Sequence, residues 1–286
     1  MKIGFIGTGV MGASMADHLL EAGYEMNVCN RTKEKADDLV SKGALWKDSP
    51  AEIAKSSDLI FTILGYPKDV EEVYFGEDGI FEELTSNKII VDMTTSTPAL
   101  AEKIAKKAKE IGAQALDAPV SGGDIGAKEG QLTVMMGGEE TAFSEVESIM
   151  KHFSNELRLF GPAGSGQHTK MANQIMVAGT MTGMIEMFAY AKEAGLDLKE
   201  VVKTVSGGAG QNRSLDNYAA RIIQGDYSPG FFVKHFIKDL GIVLSEAEAM
   251  NLELPATRQA YKLYKLLEDK GHEDDGTQAL IKLWWS

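Results

Sequence analysis

Four short segments of this chain hold residue types at spacings that could do chemistry. The first is Gly7-Thr8-Gly9-Val10-Met11-Gly12, a G-x-G-x-x-G pattern. In such a pattern the first glycine permits a tight turn, the second lets the backbone approach a pyrophosphate, and the third lets a helix pack closely on a strand. The hexapeptide means little alone. Here it follows the apolar run Lys2–Ile6 and opens a helical stretch over 10–22, so a helix N-terminus with unpaired N–H groups would face a phosphate. A glycine turn that merely packs is the plainer alternative, and the flanking strand and helix count against it.

The second segment closes the next β-rich run as Cys29-Asn30-Arg31-Thr32, with Lys35 close behind. Sites for NAD usually carry a carboxylate here, bonded to the ribose hydroxyls, whereas an arginine accommodates the 2′-phosphate of NADP. Asn30 is neutral, and Arg31 can hold a phosphate with two parallel N–H bonds. The expected cofactor is therefore NADP(H), preferred over NAD(H), although Arg31 could simply solvate the sheet edge. The third segment is Asp117-Ala118-Pro119-Val120-Ser121-Gly122-Gly123. It follows a strand expected over 114–117, so it sits at the carboxyl edge of a sheet, where such folds bind ligands. Ser121 offers a hydroxyl, and Gly122 and Gly123 can turn their N–H groups towards an anion. An ordinary turn has the same composition.

The fourth segment, Gly164-Ser165-Gly166-Gln167-His168-Thr169-Lys170-Met171-Ala172-Asn173, starts a long apolar stretch. Lys170 lies in its first turns, with Asn173 three residues on along the same helical face. A lysine there is costly to bury without a partner or a purpose. The alternative is a stem that packs while the ammonium reaches water.

These segments need elements to position them. In the first half, short β-rich runs alternate with amphipathic segments: strands over 2–6, 25–29, 44–46, 58–64, 88–92, 114–117 and 132–136, helices over 10–22, 34–41, 98–111 and 140–152. Alternation of this kind predicts a mainly parallel sheet covered on both faces. The turn-rich run Gly161-Pro162-Ala163-Gly164-Ser165-Gly166 then punctuates the chain. Beyond it nearly everything is helix-like, over 167–194, 198–204, 215–224, 235–250 and 255–270. The expected fold is α/β, with a Rossmann-type parallel-sheet domain over 1–162 and an all-α domain over 163–286, joined by a long helix. Residues 171–191 are nearly long enough to span a bilayer. Asn173, Gln174 and Glu186 inside them, with Lys170 and Lys192 at the ends, argue instead for a buried helix or a subunit interface.

Composition narrows the partners. Lys and Arg number 29 against 42 Asp and Glu, for a net charge of -13 over 286 residues. That balance repels phosphate backbones, and no basic stripe offsets it, so neither nucleic acid nor a membrane is an expected partner. The single cysteine, Cys29, cannot pair within the chain, which points to a cytoplasmic protein. The glycine-rich N-terminus reads as a strand and turn, not as a signal peptide. No Cys/His cluster or histidine pair stands at ligand spacing, so no metal is expected.

Taken together, the motifs resemble the β-hydroxyacid dehydrogenase family, the relatives of 3-hydroxyisobutyrate dehydrogenase. The resemblance runs end to end and rests on Gly7–Gly12, Asp117–Gly123, Gly164–Asn173 and a later Lys238-Asp239-Leu240. It implies that Lys170 is the catalytic general acid and base, and that Ser121, Gly122 and Gly123 hold the substrate carboxylate. It further implies that Thr95 lies beside cofactor and substrate, that Lys238 contacts the cofactor, that Asp239 assists near the lysine, and that Phe231 sets an aromatic ring against the substrate. Many members carry asparagine four residues after the lysine. This chain has Gln174 there, so the amide role passes to Asn173. The implied reaction is hydride transfer between NADP(H) and a small carboxylate-bearing aldehyde or hydroxy acid, in a homodimer or homotetramer. The rivals are an imine reductase, a 6-phosphogluconate dehydrogenase-like enzyme, and a non-catalytic NADP-binding sensor. A sensor would not need Lys170, Ser121 and Asp239 together.

Overall fold

The computed structural model describes residues 1–285, and the chain divides into two compact units that meet in sequence at Lys170 and Met171. The sequence reading sets its boundary earlier, at the turn-rich loop around residue 162.

The first unit is built on one sheet. Its strands are β1 (Lys2–Ile6), β2 (Glu25–Cys29), β3 (Leu45–Trp46), β4 (Leu59–Thr62), β5 (Ile89–Asp92), β6 (Gln114–Asp117), β7 (Val120–Ser121), β8 (Leu132–Gly138) and β9 (Ser154–Leu159). The order begins β3-β2-β1-β4-β5-β6, and all of these neighbours are parallel. β8 then runs antiparallel to β6 and β7, with β9 parallel beside it. The chain steps outward one way from β1 and the other way from β4. The point between them, at the strands' carboxyl ends, is where open α/β sheets take ligands.

Strand parity explains the two cores. Ile3, Phe5, Leu59, Phe61 and Val91 join one apolar cluster, while Ile6, Ile60 and Ile90 join the other. Successive side chains leave opposite faces, so a strand covered on both faces reads as an uninterrupted apolar run. Helices close each face. Met15 and Leu19 of helix Val10–Glu21 cover the first cluster, and Leu100 and Ile104 of helix Pro98–Ile111 cover the second.

Several elements go beyond the sequence reading. Helices Pro50–Ser56 and Pro67–Phe75 each start with proline in the first turn, and Ser49 caps the former by accepting the N–H of Glu52. Those start signals are present in the sequence, but the helices are too short for apolar periodicity to reveal. β7 spans two residues and β9 is a largely exposed edge strand, so neither shows an apolar run. The helix expected over 34–41 is a 3₁₀ turn, Lys33–Ala36, followed by helix Asp37–Ser41.

The second unit is helical. Part of the long helix Ser165–Glu193 packs with helices Arg213–Gln224, Val233–Ala249 and Pro255–Glu268 and a 3₁₀ segment, Thr277–Leu283. Their core holds Met181, Met184, Phe188, Leu215, Phe236, Leu240 and Tyr264. No helix among the described residues is long and apolar enough to cross a membrane.

At the carboxyl edge of the sheet, Asp92 is buried in a polar knot. Its Oδ1 accepts from Thr62 Oγ1 at 2.8 Å and from the N–H of Thr94 at 3.1 Å, while Tyr74 Oη sits 3.0 Å from Thr62 Oγ1. Burial outweighs these bonds and pushes the carboxyl from 3.8 up to about 6. The folded chain therefore holds this proton to higher pH than the unfolded chain. The favourable contribution is present below about 3.8 and is lost as pH rises through about 6, to a total on the order of 3 kcal/mol. Asp92→Asn removes the titration and keeps an acceptor oxygen. In urea unfolding, the variant should gain on the native chain by roughly 2–3 kcal/mol between pH 4 and pH 8. A difference that does not change with pH would contradict this account.

Candidate active site

The Gly7–Gly12 loop leaves β1 and enters helix Val10–Glu21, and its three glycines are needed for three reasons. Gly7 has φ +98°, and a Cβ there would collide with the carbonyl oxygen of Ile63 after β4. A Cβ on Gly12 would strike the carbonyl oxygen of Gly7, so the helix rests on its own loop. Around Gly9 a Cβ would meet nothing within 4 Å. Packing thus explains two of the glycines, and open space beside the backbone is what Gly9 preserves. No side chain caps the helix there, and Thr8 Oγ1 is buried without a hydrogen-bond partner among the described residues. An uncapped N-terminus, a spare buried hydroxyl and open space above a glycine all fit the phosphates of a dinucleotide.

The end of β2 braces this loop. Asn30 Oδ1 accepts the N–H of Thr8 at 3.1 Å, and Asn30 Nδ2 donates to the carbonyl of Thr32 at 2.8 Å. Asn30 is thus committed to holding the turn. Arg31, Thr32 and Lys35 lie on the surface beside it. The Arg31 side chain is 91% exposed, with Asp69 Oδ1 4.0 Å away. An exposed pair of this kind is worth little, so the guanidinium can be redirected to a ligand.

The start of the long helix is fixed by two buried side chains that the sequence reading passes over. Asp117, the last residue of β6, accepts the N–H groups of Gly164 and Gln167, each at 2.8 Å. Burial raises its carboxyl above the ordinary value, and the backbone bonds to Gly164 and Gln167 pull it back. Gln167, fully buried, donates from Nε2 to the carbonyl of Thr94 at 2.8 Å and accepts the N–H of Ser96 at 2.9 Å. Its amide therefore brackets half-buried Thr95, just beyond β5. A carboxylate at a strand end is a weak hint of such a role, and nothing in the sequence signals the reach of Gln167.

One turn further along, Lys170 is 6% exposed and donates from Nζ to the carbonyl of Val120 at 2.8 Å. That carbonyl immediately precedes Ser121. Gly122 at φ +136° and Gly123 at φ +68° then turn the chain into helix Gly123–Lys128, and a Cβ on Gly123 would meet open space. This helix is tied to the cofactor-loop helix by His18, whose Nε2 lies 3.1 Å from the carbonyl oxygens of both Ala127 and Lys128. Two acceptors require the hydrogen on that nitrogen.

The first unit therefore gathers the glycine loop, Asn30, Thr95, Ser121–Gly123 and Lys170 at the carboxyl edge of one sheet. Asn173, Phe231, Lys238 and Asp239 belong to the second unit. There Asn173 bonds Gln174, Gln174 bonds buried Asp239, and Lys238 Nζ lies 2.9 Å from Asp239 Oδ1. The ring of Phe231 is 5.4 Å from that of Phe236, at the border of the helical core.

Residues 2–161 match the family model described as the NAD binding domain of 6-phosphogluconate dehydrogenase. Residues 164–284 match the one described as NAD-binding of NADP-dependent 3-hydroxyisobutyrate dehydrogenase. The chain belongs to the β-hydroxyacid dehydrogenase family. It is similar to an uncharacterized oxidoreductase of Bacillus subtilis, 52% identical across 99% of this chain and 98% of that one. Similar too is 2-hydroxy-3-oxopropionate reductase of Escherichia coli, 36% identical across 99% and 96% of the two chains. Among solved structures, 3-hydroxyisobutyrate dehydrogenase from Salmonella typhimurium superposes with a TM-score of 0.90 at 27% identity, covering 99% of both chains. This β-hydroxyacid dehydrogenase is thus an NAD(P)-dependent oxidoreductase acting on hydroxy acids.

The glycine geometry separates folding from binding. Gly9→Ala should leave the thermal midpoint of the dehydrogenase within about 2 °C, because the new methyl meets no protein atom. Its dinucleotide affinity, read by fluorescence titration, should fall at least roughly tenfold, a loss of about 1.4 kcal/mol. Gly12→Ala should instead lower the midpoint sharply, through the clash with Gly7. The reverse pattern would mean that Gly9 serves packing and Gly12 serves the ligand.

Proposed function

We propose that this enzyme transfers hydride between NADP(H), preferred over NAD(H), and a short acid bearing an aldehyde, keto or hydroxyl group, with Lys170 as general acid and base. The observation that carries the reading is the bond from Lys170 Nζ to the Val120 carbonyl. It sets a buried ammonium one residue from the Ser121–Gly123 turn. A substrate carboxylate received by the Ser121 hydroxyl and the N–H groups of Gly122 and Gly123 would leave its reacting carbon near that ammonium. Anchoring of this kind turns a random encounter into a defined approach.

In the reductive direction, negative charge develops on the substrate oxygen. Lys170 stabilises that charge and delivers its proton there, at hydrogen-bond distance. In the oxidative direction the neutral amine takes the hydroxyl proton, so oxidation should gain on reduction as pH rises. When bound, NADP(H) supplies or accepts the hydride. Its pyrophosphate would rest on the N–H groups at the start of helix Val10–Glu21, beside Gly9. Its 2′-phosphate would draw Arg31 away from Asp69, with Thr32 and Lys35 alongside. Thr95, bracketed by Gln167, would border cofactor and substrate, and Lys238 would contact the cofactor. Asn173, Phe231 and Asp239 would serve the substrate.

The proposed working form is a homodimer or homotetramer. Ala172, Met176, Gly179, Gly183 and Tyr190 recur at intervals of three, four or seven residues and are exposed along one face of the long helix. Sedimentation as a monomer at micromolar concentration would remove that part of the reading.

Lys170→Ala should fold and bind NADPH yet lose at least roughly a thousandfold in kcat, within the range that general acid catalysis supplies. Substantial residual turnover on every substrate of a short semialdehyde and 2-oxo acid panel would refute the assigned mechanism. Arg31→Ala should weaken NADPH by roughly tenfold or more and NADH by less than about twofold, since only the former has the phosphate the guanidinium grips. Equal losses would sink the assignment of Arg31 to the 2′-phosphate.

A further inference from the structure

Two helices leave the ligand edge of the first unit, and they are unequally able to hold themselves. Helix Val10–Glu21 buries Met15, Ala16 and Leu19 in the apolar core under the sheet. Helix Gly123–Lys128 has six residues, of which Gly126 and Ala127 are buried. A helix that short does not persist in water on its own hydrogen bonds, and its last four carbonyls have no partner inside it. Two of those carbonyls, Ala127 and Lys128, face the imidazole of His18, whose Nε2 lies 3.1 Å from each oxygen. Gly130, at φ +67°, turns the chain just beyond the helix. A Cβ there would stand 3.2 Å from the His152 carbonyl oxygen and 3.4 Å from His18 Cε1, so the ring is packed against this turn as well as bonded to the helix.

The other end of the short helix is Gly123, which closes the Ser121–Gly123 turn. At 1.5 Å per residue the two ends stand about 9 Å apart. A rod of that length, pinned at one end, sets the direction of the other. We propose that His18, although it belongs to the dinucleotide helix, is a positioning residue for the substrate: it pins the C-terminal end of helix Gly123–Lys128 and so holds the Ser121–Gly123 turn in the shape that receives a carboxylate. This rests on the reading above, in which that turn binds the substrate. The consequence is asymmetric. Without the imidazole, helix Val10–Glu21 stays in place on its apolar side chains and keeps its N–H groups for the cofactor. The short helix, with little else to hold it, frays and takes the turn with it. A change on the cofactor's own helix is thus felt by the substrate. The carboxylate bears the same charge before and during hydride transfer, so loosening its grip raises KM and spares kcat.

His18→Leu removes the donor and keeps bulk, whereas His18→Gln sets an amide NH₂ near the place of Nε2. The acid is glyoxylate or succinic semialdehyde, whichever the native enzyme reduces faster, followed by loss of NADPH absorbance. His18→Leu should raise KM for that acid at least roughly tenfold, with kcat within about threefold and the Kd of NADPH within about twofold of native. His18→Gln should bring KM back to within about threefold. Hydrogen exchange read by mass spectrometry should show the amides of 124–131 opening faster in His18→Leu, while those of 13–21 keep their native rates. A merely structural role would weaken NADPH along with the acid, or speed exchange in both helices. That pattern, an unchanged KM in His18→Leu, or a His18→Gln that restores nothing, overturns the proposal. Should His18→Leu fail to fold, His18→Met, unbranched and equally without a donor, is read in its place. Failure of the underlying reading looks different. A native enzyme that reduces neither acid overturns both together, whereas a working enzyme whose KM ignores His18 overturns this proposal alone.

Discussion

The buried carboxylate of Asp117 is the point from which the rest of the site hangs. It ends β6 and takes two N–H groups from the start of the long helix. Hydrogen bonds to a charged group are worth about 1.5–3 kcal/mol each, and burial opposes them by raising the carboxyl. The arrangement works because the surroundings leave no room for anything else. A Cβ on Gly166 would come within 2.8 Å of Asp117 Oδ2, and one on Gly137 within 2.5 Å of Oδ1. Two glycines far apart in sequence therefore admit one carboxylate, and the carboxylate fixes the first turn of the helix. Lys170 follows three residues after Gln167, so its ammonium inherits that placement.

The same logic of close approach governs the other end of the sheet's ligand edge. There Gly12 lets helix Val10–Glu21 rest on the Gly7 carbonyl, and Asn30 ties Thr8 to the end of β2. Both sub-sites begin where a strand ends and a helix starts, and His18 links the two helices that leave them. Such a frame leaves backbone N–H groups where anionic ligands can reach them. In a chain of net charge -13, those backbone donors are the groups at this edge whose attraction for anions does not depend on the balance of side-chain charges.

Much of this was legible in the residues. The alternation of apolar runs and amphipathic stretches led to the parallel sheet, and the G-x-G-x-x-G spacing led to the dinucleotide loop. Lys170 could be singled out because an ammonium beside an apolar helix needs a reason. Asn30 was legible only as an uncharged residue where a carboxylate is expected, and its task of bracing Thr8 was not. The roles of Gln167, Gln174 and His18 were invisible, since an isolated amide or imidazole carries no periodicity and no turn signature.

The sequence by itself determined the features that depend on near neighbours: strand parity, the glycine turns, helix periodicity and the change of class after residue 162. Tertiary structure alone decided which distant groups meet. Asp117 reaches Gly164 across 47 residues, Gln167 reaches Ser96 across 71, and Gln174 reaches Asp239 across 65. A hydrogen bond needs its partner within about 3 Å and in line. Only the packed sheet and helices bring such groups that close, which is why the resemblance of the motifs could suggest a chemistry while the meeting of distant groups had to come from the fold.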